Sequence, residues 1–155
     1  MQLKKIIFIC TFIFFSGFSY SDENGHNLEK TLVLPQFIPQ NINVINAPDE
    51  VLPYYQALDN THFSYKCFVP YTLKGKLAAV ELCEIYPVKL HILNWPETEI
   101  IHMISGHVTV TEYDGTVTRY KPGDIFVLPE GFKGIWSQTE NVRKLTVRHP
   151  LFWKE

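Results

Sequence analysis

Gly123-Asp-Ile-Phe-Val-Leu-Pro129-Glu-Gly131, followed by the run Gly134-Ile-Trp-Ser-Gln138, is the stretch that decides the fold. Gly-Asp ahead of an apolar run makes a tight turn, which Gly permits and Asp can hydrogen-bond. Ile125 to Leu128 reads as a short strand, and Pro-x-Gly ends it and reverses the chain. The run from Gly134 to Gln138 then crosses back, with alternate side chains pointing to opposite faces. If position 134 faces inward, so do Trp136 and Gln138.

The neighbouring sequence repeats this grammar. Upstream lie β-type runs at His62 to Val69, Ala78 to Ile85, Val88 to Leu93, Glu99 to Ile104, His107 to Tyr113 and Thr116 to Tyr120; Val142 to Arg148 follows downstream. Turn residues separate them, and Asp114-Gly115 between two alternating runs is a strong hairpin signal. Thr31 to Leu34 is a further short strand candidate, and Pro35 to Pro53 reads as an arm wrapping the domain. No helical pattern follows the leader. Many short strands without βα alternation mean an all-β sandwich or small barrel.

Composition fits one globular unit: 155 residues, 46% hydrophobic and 19% charged. Met1 to Lys5 is a short basic start, Ile6 to Phe15 a nearly unbroken apolar run, and Ser16 to Ser21 a segment with small residues at alternate positions. That order is a secretory signal peptide, with cleavage expected after Ser21 or, second best, after Ser19. The alternative is an uncleaved anchor, for which the apolar run is short. Removing Lys4 and Lys5 leaves 12 basic against 16 acidic residues, a net charge of −4. No basic stripe remains, which speaks against nucleic acid and, after signal cleavage, against membrane as partners. The expected organisation is residues 1–21 signal peptide, 22–60 N-terminal tail and arm, and 61–155 barrel.

Export to the periplasm or extracellular space permits a disulfide. Lys74-Gly75-Lys76 is the expected turn between the runs that carry Cys67 and Cys83. In a hairpin centred on Gly75, residues whose numbers sum to 150 face each other, as these two do. The competing reading is two buried free thiols.

The motif set resembles the cupin superfamily. Gly123 to Gly131 fits the first half of the segment Gly-x5-Pro-x-Gly-x2-His-x3-Asn, and Glu99 to Gly106 fits the Glu-x6-Gly close of the other segment. Gly131-Phe-Lys-Gly-Ile-Trp136 with Val142 to Leu145 is similar to the small cupins named after the (S)-ureidoglycine aminohydrolase cupin domain, which also resemble the ethanolamine-utilisation cupin. The resemblance implies a cupin-type double-stranded β-helix, or jelly-roll, barrel with an N-terminal arm. It also implies a metal site of three His and one Glu, a donor set suited to Fe, Mn, Ni, Cu or Zn.

Here that ligand set is depleted. The second-segment His position is Gly134 and the Asn position is Gln138. The His-x-His positions fall at Ile92 and Asn94, or at Leu93 and Trp95, with His91 out of register. Only Glu99 stands, so no metal or other cofactor is expected. A divalent ion held by Glu99, His91 and a third group is the lesser alternative.

Glu99 is therefore the candidate acid, base or ligand anchor, against a reading as a rim residue bonded to backbone. Asn94 and His91 fall in the pocket or at its rim. Trp136 either stacks on a planar ligand or fills the barrel, and Gln138 either orients a carbonyl or ends a strand at the surface. His102, at odd spacing from Glu99, is expected on the opposite face. Arg143 and Lys144 are expected on the sheet exterior or at a dimer contact.

These residues lead to an exported, metal-independent barrel that binds a small polar molecule and forms a homodimer. One alternative is an enzyme of the ureidoglycine-aminohydrolase or isomerase type using Glu99. A second is a non-catalytic structural or partner-binding barrel. The resemblance implies a metal and two cupin repeats for that aminohydrolase, and this chain has room for one.

Overall fold

The structure, a computed structural model, describes residues 31–51, 53–73 and 78–148. The leader, His26, His149 and the Lys74-Gly75-Lys76 turn lie outside the described residues. Among the described residues there are twelve strands: β1 (Ile45–Asn46), β2 (Glu50–Val51), β3 (Tyr55–Ala57), β4 (Ser64–Thr72), β5 (Ala79–Ile85), β6 (Val88–Ile92), β7 (Glu99–Ser105), β8 (Val108–Glu112), β9 (Val117–Tyr120), β10 (Ile125–Leu128), β11 (Gly134–Gln138) and β12 (Val142–Arg148). The last three match the sequence runs residue for residue.

Two antiparallel six-stranded sheets face each other, in the orders β1-β4-β5-β12-β7-β10 and β2-β3-β6-β11-β8-β9. This is the all-β jelly roll expected from the motifs. Strands adjacent in sequence often lie in opposite sheets: β6 crosses to β7 and β7 to β8. Closure then buries the two inner faces against each other, as a barrel requires. The core holds Tyr55, Phe63, Val88, Leu90, Ile92, Ile101, Met103, Val108, Val110, Leu128 and Trp136.

The turns form as their chemistry dictates. Gly123 takes a φ of +93°, its N–H donates to the Met103 carbonyl, and the Asp124 carboxylate accepts from the Lys121 N–H. An L side chain rarely adopts that backbone conformation. At Asp114-Gly115 the Asp114 carboxylate accepts from the Thr116 N–H at 2.8 Å, closing the β8–β9 hairpin.

The amino-terminal segment differs from expectation. Thr31 to Leu34 forms no strand and is mostly exposed, since no sheet edge pairs with it. Residues 45–57, read as arm, instead supply β1 to β3, which pair with β4 and β6; Tyr55 is fully buried. Phe37 in the arm lies on its own barrel, with the Arg143 guanidinium 5.1 Å from its ring centroid.

Cys67 and Cys83 face each other on β4 and β5 and are joined by a disulfide. Beyond them, between Phe68 and Tyr71, one extra residue enters β4. Pro70 lies in that bulge and has no N–H to give the ladder.

Candidate functional site

The alternation of β7 turns Glu99, Ile101 and Met103 into the barrel and leaves His102 on the opposite face, as the spacing predicted. Glu99 is 3% exposed. It is not a lone carboxylate. Lys144, 7% exposed on the inner face of β12, donates from Nζ to Glu99 Oε2 at 3.0 Å. The expectation that Lys144 sits on the exterior is thus corrected. The inner face of β12 carries Val142, Lys144, Thr146 and Arg148, while Leu145 and Val147 share the other face with Arg143. Arg143 keeps to the outer side, with Nε 3.1 Å from Ser105 Oγ.

Arg148 organises the rest. Its Nε and Nη2 donate to the two Glu81 oxygens at 2.7 and 2.8 Å, and Nη1 donates to Glu97 Oε1 at 2.8 Å. Its Nε also lies 4.0 Å from Glu99 Oε1. Three buried carboxylates therefore face two buried cations. Burial would pull the Arg148 pKa down, but Glu81, Glu97 and Glu99 outweigh it and hold the guanidinium above its usual value. Glu97 is shifted up, chiefly by desolvation, against the opposing pull of Arg148.

A pH consequence follows for Glu97. A carboxyl whose folded-state pKa is raised contributes stability present below its unfolded value and lost as pH rises through its folded value. Glu97→Gln retains an oxygen for Arg148 and cannot ionise. It is expected to melt above the wild type at neutral pH, with the difference disappearing on acidification below the ordinary glutamate range. Melting curves from pH 4 to 8 test this; a variant that melts lower throughout would refute it.

Other sequence candidates separate. Trp136 is buried and points inward, with Nε1 donating to Gln138 Oε1 at 2.9 Å. Gln138 is buried rather than surface-exposed, and its Nε2 lies 2.9–3.2 Å from the carbonyls of Ile85, Tyr86 and Glu140. Its amide is thus committed to closing one end of the barrel. His91 alternates to the exposed outer face of β6, so it does not share the interior with Glu99. Asn94 is exposed too, and lines an outer depression of about 480 Å³ with Tyr54, Trp95, Pro96, Glu130 and Gly131.

Two small cavities lined by described residues lie in the barrel interior. One, of about 30 Å³, is lined by Glu81, Glu99, Lys144, Thr146, Arg148, Trp95 and the disulfide, among others. The second, also about 30 Å³, is lined largely by apolar residues, including Leu90, Ile92, Leu128 and Trp136. Thr146 is 1% exposed, and its Oγ1 has no hydrogen-bond partner among the described residues.

The donors do not fit a transition metal. Ile92 is apolar, His91 and Asn94 face outward, and Gly134 offers no side chain. A Cβ at Gly134 would collide with the Thr111 carbonyl and the Phe132 ring, so close packing excludes a larger residue there. Positive charge beside Glu99 is supplied by Lys144. Cys67, Cys83 and Glu81 do bring possible ligand atoms within 4.8 Å of one another, but the sulfurs are bonded together and Arg148 holds the carboxylate.

Sequence reasoning missed Glu81, Glu97, Lys144, Thr146 and Arg148. The same-parity pair Lys144 and Arg148, set against two glutamates on neighbouring strands, was the available signal.

Residues 91–145 match the EutQ-like cupin domain family. A protein of unknown function from Pseudomonas syringae pv. tomato superposes with a TM-score of 0.58 at 14% identity, over 74% of this chain and 46% of that one. The chain thus spans under half the length of that protein, and the likeness concerns fold. EutQ of Clostridium difficile aligns at 20% identity over 59% of this chain and 71% of its own, with a TM-score of 0.46. Ectoine synthase from P. lautus aligns at 16% identity over 56% of this chain and 64% of its own, with a TM-score of 0.47. No curated protein matches the chain by sequence.

Proposed function

Taking the chain as a member of the cupin superfamily with a EutQ-like pattern over residues 91–145, we propose that it is an exported binding protein that holds a small polar molecule inside the barrel without a transition metal. The observation that carries this reading is the charged cavity beside Lys144, into which the unpaired Thr146 hydroxyl opens. A buried hydroxyl without a partner is costly, and a bound polar atom would satisfy it. Lys144 has three donors and commits one to Glu99. Engagement of Glu99 by Lys144 speaks against the reading in which Glu99 acts as a free general base.

Export is supported by the leader pattern and by the Cys67–Cys83 disulfide, a bond suited to oxidising compartments. A homodimer is supported by the exposed row Ile100, Val127 and Ile125 on the outer face of β7 and the edge strand β10. The structural-barrel reading draws on the cavity sizes, each close to the space of about one water.

Native mass spectrometry of protein purified from its own source tests these readings together. The expected species is a dimer of chains beginning at Asp22, carrying a small organic molecule and well under one metal ion per chain. A dimer with no bound molecule, and no thermal shift with any of a broad metabolite set, would favour the structural barrel. Stoichiometric metal would overturn the metal-independent site, a monomer the homodimer, and an intact leader the exported form.

A further inference from the structure

The edges of the two sheets differ in how they are protected. Strands β1, β2, β9 and β10 end the two strand orders. An open edge presents a row of N–H and C=O groups, and natural edges are blunted by shortness, charge, proline or bulges. Strands β1 and β2 are two residues long each, and β9 carries the exposed Arg119. Strand β10 is Ile125-Phe126-Val127-Leu128, with no charged residue and no proline inside it. Ile125 is 69% exposed and Val127 55%.

The hydrogen-bond phase of β10 is set where the strand begins. Met103 donates its N–H to the Asp124 carbonyl and accepts from the Gly123 N–H. In an antiparallel pair, residues that exchange bonds alternate with residues whose N–H and C=O point away. Phe126 and Leu128, opposite Ile101 and Glu99, therefore direct their backbone groups at β7. Ile125 and Val127, opposite His102 and Ile100, direct theirs to the open edge. No other described strand pairs there.

We propose that a second copy of this chain adds its own β10 to this edge, antiparallel, with Phe126 on the twofold axis. This pairing rests on the homodimer reading above and specifies its interface. With the axis at Phe126, Ile125 faces the partner's Val127 and exchanges both backbone bonds with it, and the symmetry repeats the exchange. Neighbouring registers fail. An axis at Val127 sets Ile125 against the partner's Pro129, which has no N–H. An axis at Ile125 sets Val127 against the partner's Gly123, whose N–H is already given to Met103. The side chains agree with the backbone: Ile100, Val127 and the partner's Ile125 form one apolar row across the seam. No like charges meet, since Asp124 falls opposite the partner's Leu128 and its carboxylate is held by the Lys121 N–H. Adding a strand to an open edge is a general mode of association.

The test is the association state of the mature protein, read by sedimentation over a concentration series. Val127→Pro keeps an apolar side chain and removes an N–H that bonds only across the seam. It is expected to raise the dimer dissociation constant on the order of thirtyfold, the worth of two hydrogen bonds. Its circular dichroism should stay that of the wild type, because the lost N–H makes no bond to β7. Val127→Thr and Ile100→Lys, which leave the backbone groups of β10 in place, are expected to remain dimeric. A second readout needs no proline. Mixing the single variants Ile125→Cys and Val127→Cys under mild oxidation should give a mixed interchain disulfide, because the two positions face each other at roughly 5.5 Å between Cα atoms. Either variant alone should give far less.

A wild type that stays monomeric would overturn both the pairing and the homodimer reading. A dimer that tolerates Val127→Pro, gives no mixed disulfide and falls apart on Ile100→Lys would overturn the pairing alone, because its copies would then meet through the sheet face.

Discussion

Arg148→Met is expected to destabilise the protein by about 3–5 kcal/mol, the usual cost of removing one partner from a buried ion network. Arg148 is 6% exposed and donates to Glu81 through two nitrogens and to Glu97 through a third. Without it, two buried carboxylates lose their cation, and Lys144 cannot serve them because it is paired with Glu99. The loss should come from stranded charge rather than lost packing, and Met supplies comparable length. Adding Glu81→Met to Arg148→Met should therefore recover a large part of the stability. Urea denaturation at neutral pH reads both variants. A loss under about 1 kcal/mol, the range of exposed pairs, would show that the cluster is wetter than the structure has it.

Replacing both cysteines by alanine is expected to remove about 3 kcal/mol, the chain-entropy estimate for a loop of this size. For a domain of this length that corresponds to a drop in Tm on the order of 10 °C. Wild-type protein alkylated without reduction should carry no label on Cys67 or Cys83. Two alkylated cysteines would mean buried thiols instead, and the double variant would then melt close to wild type. The disulfide also walls the polar cavity. Its loss should therefore loosen that side of the barrel, measurable as faster amide exchange in β4 and β5.

How much of this was legible in the chain differs between fold and site. Strand limits at Ile125–Leu128 and the start of Gly134–Gln138 were readable because Gly, Pro and Asp turn chemistry marks them locally, and Val142–Arg148 was readable as a β-branched run after the polar Thr139-Glu140-Asn141. The inward face of β11 was readable too, since Gly134, Trp136 and Gln138 share one parity. Strand β12 was not. Its two faces carry Leu145 and Val147 on one side and Lys144 and Arg148 on the other, and local pattern favours burying the first. The charged face turns inward because Glu81 and Glu99 stand on the strands to either side, a fact of strand order.

The Cys67–Cys83 pair shows the same division. Centring the hairpin on Gly75 placed the two opposite each other. Near the turn, however, Leu73 pairs with Ala78 and Thr72 with Ala79, one residue out of that register. The bulge at Pro70 restores it before Cys67; without it Cys67 would face Glu84. The sequence by itself determined the strands from β4 onward, the turns at Gly115 and Gly123 and the depletion of metal ligands, because each depends on residues close together in the chain; the short strands β1 to β3 escaped it. The ion network and the role of Gln138 as a closing residue were decided by tertiary structure. Each depends on which strands become neighbours across the barrel, and no local periodicity carries that information.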